Sequence, residues 1–221
     1  MSLAPVLLFT YNRPSHTRKT LDALLQNKLC SESELFVFSD GYREETDKKE
    51  VLEELQRILE EAEREFGHPI YVVSDEPYRE LVYDDHVLPF APAIIKNCIV
   101  VYSFSKSLSL SGERIGYMAV SKQIDYYDML INALVVANRC LGYINAPSLF
   151  QLVVADCLEV KTDIAFYDRN RKLLYETLTK LGFQCVKPEG AFYLLIKSPV
   201  EDETVFADQA KKHNILLVPA A

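Results

Sequence analysis

What most constrains the fold is an alternation of short apolar runs with amphipathic stretches along most of the chain. Val6–Thr10, Leu35–Ser39, Ile70–Ser74 and Cys98–Ser103 are runs of strand length, and a further strand is expected at Arg114–Val120. Between the first runs, apolar residues recur at helical spacing. Leu21, Leu24 and Leu25 do so from Ser15 to about Gln26, and Val51, Leu52, Leu55, Ile58 and Leu59 do so in a charged stretch from Thr46 to Phe66. Residues three and four apart share one face of a helix, so each stretch offers one side to a core. Gly67 stands where a helix-ending glycine belongs, and Pro69 prevents continuation. The alternation predicts an α/β domain with a three-layer, largely parallel sheet. Ile70–Ser74 and Cys98–Ser103 are unbroken apolar runs, as expected of parallel strands covered on both faces.

Helical patterns follow at about Lys122–Asn138, Ser148–Val160 and Ile164–Leu181. The last section changes character, with short runs at Cys185–Val186, Ala191–Lys197 and Ile215–Val218 and a helix near Glu203–His213. It predicts the start of a small α+β domain from about residue 165. Because the chain stops at Pro219-Ala220-Ala221, straight after an expected strand, that domain is expected to be incomplete.

Composition narrows the function. At 221 residues the chain is worth roughly one and a half domains of about 150 residues. It is 49% hydrophobic and 25% charged, enough to bury a core and unlike a disordered chain. The net charge of −8 argues against binding nucleic acid or an anionic membrane surface, both of which need clustered Lys and Arg. No apolar window approaches the roughly 18 residues of a membrane span, and no basic region precedes the first apolar run as in a secretory signal. A cytoplasmic protein is expected. Seven glycines form neither G-x-G-x-x-G nor G-x-x-x-x-G-K-[ST], so two common nucleotide loops are absent. The five cysteines and four histidines lack metal or redox spacing, which predicts no metal site and buried, reduced thiols.

Two strand ends carry unusual residues. Ile70–Ser74 runs into Asp75-Glu76-Pro77-Tyr78, and Cys98–Ser103 runs into Phe104-Ser105-Lys106. Ligands of open parallel sheets bind beyond such carboxyl ends. A lysine can form a Schiff base with an aldehyde cofactor, and a carboxylate can hold a pyridinium nitrogen protonated; pyridoxal phosphate requires both from its protein. The run Ser103-Phe104-Ser105-Lys106-Ser107-Leu108-Ser109-Leu110-Ser111-Gly112-Glu113-Arg114-Ile115-Gly116 resembles, position for position, the lysine-attachment signature of class I pyridoxal-phosphate aminotransferases (fold type I). The resemblance implies that Lys106 carries pyridoxal 5'-phosphate and that Ser103 and Arg114 bind its phosphate, a role suited to the planar fork of Arg. Residues 67–80 resemble the family segment in which an aspartate pairs with the ring nitrogen and a tyrosine with the ring hydroxyl, here Asp75 and Tyr78. Pro188-Glu189-Gly190-Ala191-Phe192-Tyr193 resembles the start of the family's small domain.

The resemblance covers about residues 50–221 and implies catalysis by Lys106, Asp75 and Tyr78 on amino-acid and 2-oxo-acid substrates, in a homodimer. A C–S lyase or decarboxylase would share these residues. The family's phosphate loop, ring-stacking aromatic and ring-hydroxyl asparagine have no counterpart in this sequence. The arginine that grips the substrate carboxylate is expected beyond Ala221, so cofactor binding without turnover is expected of the chain as it stands.

Residues 3–45 read differently. Leu3 to Pro14, an amphipathic helix and Leu35 to Gly41 are similar to the opening βαβ of family 2 glycosyltransferases, of GT-A type, with Thr10 and Asp40 at the nucleotide-sugar positions. No D-x-D metal motif accompanies them. The expected organisation is therefore 1–48 glycosyltransferase-like, 49–164 part of a cofactor-binding large domain and 165–221 part of a small domain, with a junction of two unrelated halves between Tyr42 and Glu50. A nucleotide-sugar glycosyltransferase and a non-catalytic α/β module are the alternative readings.

Overall fold

The structure, a computed structural model, describes residues 6–11, 14–26, 35–40 and 45–219. It divides into two compact units: the described parts of Met1–Glu80 with Asp85–Thr162, and Leu81–Asp84 with Asp163–Ala221.

The first unit holds a five-stranded sheet in the order β1 (Val6–Tyr11), β2 (Leu35–Asp40), β3 (Tyr71–Asp75), β4 (Cys98–Ser103), β5 (Gly116–Val120). The first four strands are parallel and β5 is antiparallel to β4, so the sheet is mixed. Helix α1 (Pro14–Leu25) joins β1 to β2 and α2 (Glu45–Phe66) joins β2 to β3. Leu52, Leu55, Leu59, Ala62 and Phe66 recur at helical spacing, and this face of α2 packs in one cluster with Leu21, Ile70, Val72, Ile95 and the fully buried Cys98. Gly67 ends α2 in the left-handed region, at φ 76°, where a Cβ is disfavoured.

Asn97 is the buried polar pin of this unit. Its side chain donates to Glu63 on α2 (2.9 Å) and to Asp125 (3.1 Å) and accepts from the Asp125 amide (3.0 Å), while its carbonyl accepts from Val72 on β3 (2.8 Å). A buried amide is tolerated only with its groups paired, as here.

The expected strand at Arg114–Val120 starts at Gly116. A Cβ there would lie 2.2 Å from the Tyr102 carbonyl oxygen, so only glycine lets β5 close on β4. β5, α4 (Tyr127–Cys140) and α5 (Ser148–Asp156) leave Tyr117, Met118, Met129, Val136, Leu149 and Leu152 exposed.

The second unit contains α6 (Ile164–Lys180) and α7 (Glu203–Lys211), capped by Asp163 and Asp202 side chains that accept from helix amides. The short strands expected here do not form a sheet. Val82 pairs with Gly190 and Cys185 with Ile196 as isolated bridges, and Ile215–Val218 is not a strand, with Leu216 and Val218 exposed. An apolar run becomes a strand only where another backbone takes its hydrogen bonds, and among the described residues none runs beside Ile215–Val218. The thiols are not uniformly buried either: Cys98 is, Cys140 is exposed, Cys157 and Cys185 are half-buried, and Cys30 lies outside the described residues.

Candidate active site

Asp75 ends β3 and Ser103 ends β4. Asp75 stands opposite Val101 in parallel register, so both residues reach the same carboxyl edge of the sheet. The Glu76 amide still bonds the Val101 carbonyl (2.8 Å), and the turn then closes on itself: Ser74 donates to Glu76 (2.9 Å), which pairs with Arg79 (2.6 Å). Arg79 also donates to the carbonyls of Leu88 (3.3 Å) and Pro89 (3.4 Å). Tyr78 is carried half-buried within this turn, and Asp75 is exposed at its start.

β4 runs without a break into α3 (Phe104–Ser107), a single helical turn. Ser103 caps it, its hydroxyl accepting from the Ser105 amide (3.2 Å) and donating to the Ser105 hydroxyl (2.7 Å). Lys106 lies in this turn, half-buried, with Nζ 5.5 Å from the centroid of the Tyr78 ring. The two strand ends therefore bring the lysine and the tyrosine together.

Arg114 reaches the same edge from the other side. β5 begins at Gly116 opposite Ser103, and the Phe104 amide bonds the Ile115 carbonyl (3.2 Å). Arg114 has φ 53°, a left-handed conformation that costs a non-glycine residue roughly 1–3 kcal/mol and gathers at functional sites. Its exposed guanidinium donates to the Ser111 carbonyl (3.2 Å).

Behind the lysine, burial pushes the Tyr102 hydroxyl up to about 12; its bond to Ser107 pulls the other way, and the Glu80 carboxylate raises it. The sequence did not single out Tyr102 or Thr162, which bond Ser107 at the end of the lysine turn, because their contacts follow no helical or strand period. Thr10 pairs with Ser39 and Tyr11 with Asp40 in the backbone register of β1 and β2; the side chains of Thr10 and Asp40 lie outside what the structure describes.

A second charged cluster is centred on Arg171, which lies on a helical pattern as Arg139 and Arg169 do. Arg139 and Arg169 are exposed, but the Arg171 side chain is only 3% exposed. It pairs bidentately with Asp84 (2.9 and 3.0 Å) and with Asp168 (2.6 Å), donates to the Pro188 carbonyl (2.7 Å) and lies over the Tyr83 ring at 4.3 Å. Charge that is buried must be paired, so this arginine is part of the second unit's framework.

Comparison with known proteins bears on the whole chain. The family described as aminotransferase class I and II matches residues 17–221. The aspartate/prephenate aminotransferase of Thermus thermophilus is 32% identical over 182 residues, which are 77% of this chain and 44% of that relative. Among solved structures, an amino transferase from Eubacterium rectale superposes with a TM-score of 0.81 at 34% identity, over all of this chain and 61% of that one. An aspartate aminotransferase mutant from Thermus thermophilus gives 0.71 at 26% identity, over 95% of this chain and 55% of that one. The chain thus spans under half the length of that curated relative. The family match begins inside the segment read as glycosyltransferase-like and continues through the expected junction at Tyr42–Glu50, so the glycosyltransferase resemblance and its GT-A type start are not supported. With an α/β aminotransferase-type fold and a match over most of its length, the chain belongs to the aminotransferase class I and II family.

Proposed function

We propose that this chain carries the cofactor-lysine portion of a pyridoxal-phosphate-dependent aminotransferase that interconverts amino acids and 2-oxo acids. The observation that carries this reading is the half-buried Lys106 amine against Tyr78, at the edge where Asp75, Ser103 and Arg114 also arrive. The donor set fits the group: an amine for an aldehyde, a carboxylate for a pyridine nitrogen, a phenol for the ring hydroxyl, and a hydroxyl with a guanidinium for a phosphate. Bound there, pyridoxal phosphate supplies a reactive aldehyde and an aromatic ring that withdraws electrons from the substrate.

The protein's part is positional and acid–base. Asp75 holds the proton on the ring nitrogen, keeping positive charge where electrons must flow. Tyr78 fixes the ring hydroxyl, and Ser103 and Arg114 hold the phosphate. Lys106, on the turn that Ser103 caps and against Tyr78, moves the proton at the substrate α-carbon, as a positioned base does. In this reading residues 165–221, which lie within the second unit, belong to the family's small domain.

The test is borohydride reduction of the chain after incubation with pyridoxal phosphate, followed by peptide mass spectrometry. A single major adduct on Lys106 is expected; an adduct on other lysines only, or none, overturns the reading. A homodimer belongs to the same reading. It is supported by the apolar residues left exposed on β5, α4 and α5, since large exposed apolar side chains are what an association surface buries. A concentration-independent monomer mass in light scattering refutes it.

A further inference from the structure

We propose that Tyr102 and Thr162 are positioning residues for Lys106, holding its one-turn helix at the Ser107 end so that the amine stays against Tyr78. The inference rests on the reading of Lys106 as the cofactor lysine. It begins from the length of α3, which has four residues. One turn of helix fixes several dihedrals for very few hydrogen bonds and does not hold itself. Its geometry must come from outside.

At the start of the turn, Ser103 caps Ser105 and the Phe104 amide is tied to Ile115 on the approach to β5. At the other end, two residues act on Ser107, next to the lysine. The Tyr102 hydroxyl donates to the Ser107 hydroxyl (2.7 Å), and the Thr162 hydroxyl donates to the Ser107 carbonyl (2.9 Å). The second bond satisfies one of the carbonyls that a helix end leaves open. Leu108 and Leu110 amides both return to the Phe104 carbonyl (3.2 Å each) and complete the closure.

Tyr102 is a rigid anchor. It is 6% exposed, stacks on Tyr117 with centroids 5.1 Å apart and meets Phe104 edge-on at 5.2 Å. Its hydroxyl lies beside the Glu80 carboxylate as well as Ser107 and keeps its proton at ordinary pH. Thr162 comes from a segment 55 residues beyond Ser107, so the two ties are independent in the chain and converge on one residue. With both in place the turn has one pitch. With one removed, Lys106 turns about the Ser103 cap.

The experiment uses the full chain and the variants Tyr102→Phe, Thr162→Val and Thr162→Ser. Tyr102→Phe keeps the ring packing, and Thr162→Ser keeps the hydroxyl. Two readouts are taken at unchanged thermal midpoint. The first, without cofactor, is competitive labelling with trace acetic anhydride, read as the ratio of Lys106 to the exposed Lys122. The second is the rate at which pyridoxal phosphate becomes trapped on Lys106 by borohydride. The expected result is a Lys106-to-Lys122 ratio raised about fivefold in Tyr102→Phe and in Thr162→Val, the factor that follows when one neutral hydrogen bond no longer holds a geometry. Trapping on Lys106 slows by a similar factor, and Thr162→Ser behaves as the parent. Wild-type ratios in both Phe and Val variants overturn the proposal. If Tyr102→Phe fails to fold, the Val and Ser pair at position 162 decides. Absence of any Lys106 adduct in the parent overturns the cofactor reading, whereas the acetylation ratio still reports whether the turn is held.

Discussion

Two arginines of this chain carry the same charge in opposite surroundings. Arg171, in the second unit, is buried with two carboxylates, a carbonyl and a tyrosine ring on its guanidinium. Arg114, at the sheet edge of the first unit, is exposed and donates to one carbonyl of its own turn. A guanidinium leaves water at a cost of several kcal/mol that its partners must offset, so Arg171 is committed to the fold. Arg114 has donors to offer a phosphate without dismantling anything. What surrounds each charge separates an arginine committed to the fold from one left available to a ligand.

The largest expected effect breaks this comparison or secures it. Arg171→Ala leaves Asp84 and Asp168 with only the exposed Lys187 and Lys172 as cations and should cost about 3 kcal/mol, toward the low end for a broken buried pair because Asp84 is partly exposed. Urea unfolding of the full chain measures it, with proteolysis within residues 163–219 as the local signal. An effect below that of Arg114→Ala would invert the assignment of the two residues.

Gly116→Ala should follow, at roughly 2 kcal/mol, because the added methyl meets the Tyr102 carbonyl at 2.2 Å and neither strand can yield without breaking their ladder. The thermal midpoint of that variant reads the cost directly.

Acid sharpens the picture of the Arg171 cluster. Hydrogen bonds from Arg171 hold the Asp84 carboxyl well below the usual carboxylate range against the opposing desolvation, and Lys187 helps. Asp168 is lowered too, first by Lys172 and also by Arg171. A carboxyl depressed in the folded state contributes stability that is complete above its unfolded value of about 4 and is lost as the pH falls below it. The urea midpoint should therefore drop between about pH 4 and pH 2, and Asp84→Asn should flatten that slope. A midpoint as steep in the variant as in the parent would remove Asp84 from the account.

The smallest stability effect belongs to Arg114→Ala, within about 0.5 kcal/mol, as for an exposed side chain. Its consequence appears in binding. The preference for pyridoxal phosphate over pyridoxal should fall about tenfold, because charge-assisted hydrogen bonds to the phosphate are lost. An unchanged preference would take Arg114 out of the phosphate site.

Much of this was legible in the chain itself. The alternation of apolar runs and helical stripes predicts β1 to β4 with their intervening helices, and the runs into Asp75 and Lys106 mark the edge at which the candidate site lies. The lysine motif, read as a motif, already points to the family. These are local properties: hydrophobic period, turn residues and a contiguous signature all lie within a few residues of one another. Arg171 lies 87 residues from Asp84, and Thr162 lies 55 from Ser107, so no window of sequence contains both members of either pair. The short apolar runs after residue 180 show the same limit, since a strand exists only when a second backbone arrives beside it. What the sequence alone determined is the order of elements and the residues delivered to the sheet edge. The tertiary structure decided which charge is buried, which turn is held and which run becomes a strand, because each depends on the free energy of a partner that is distant along the chain and near only once it has folded.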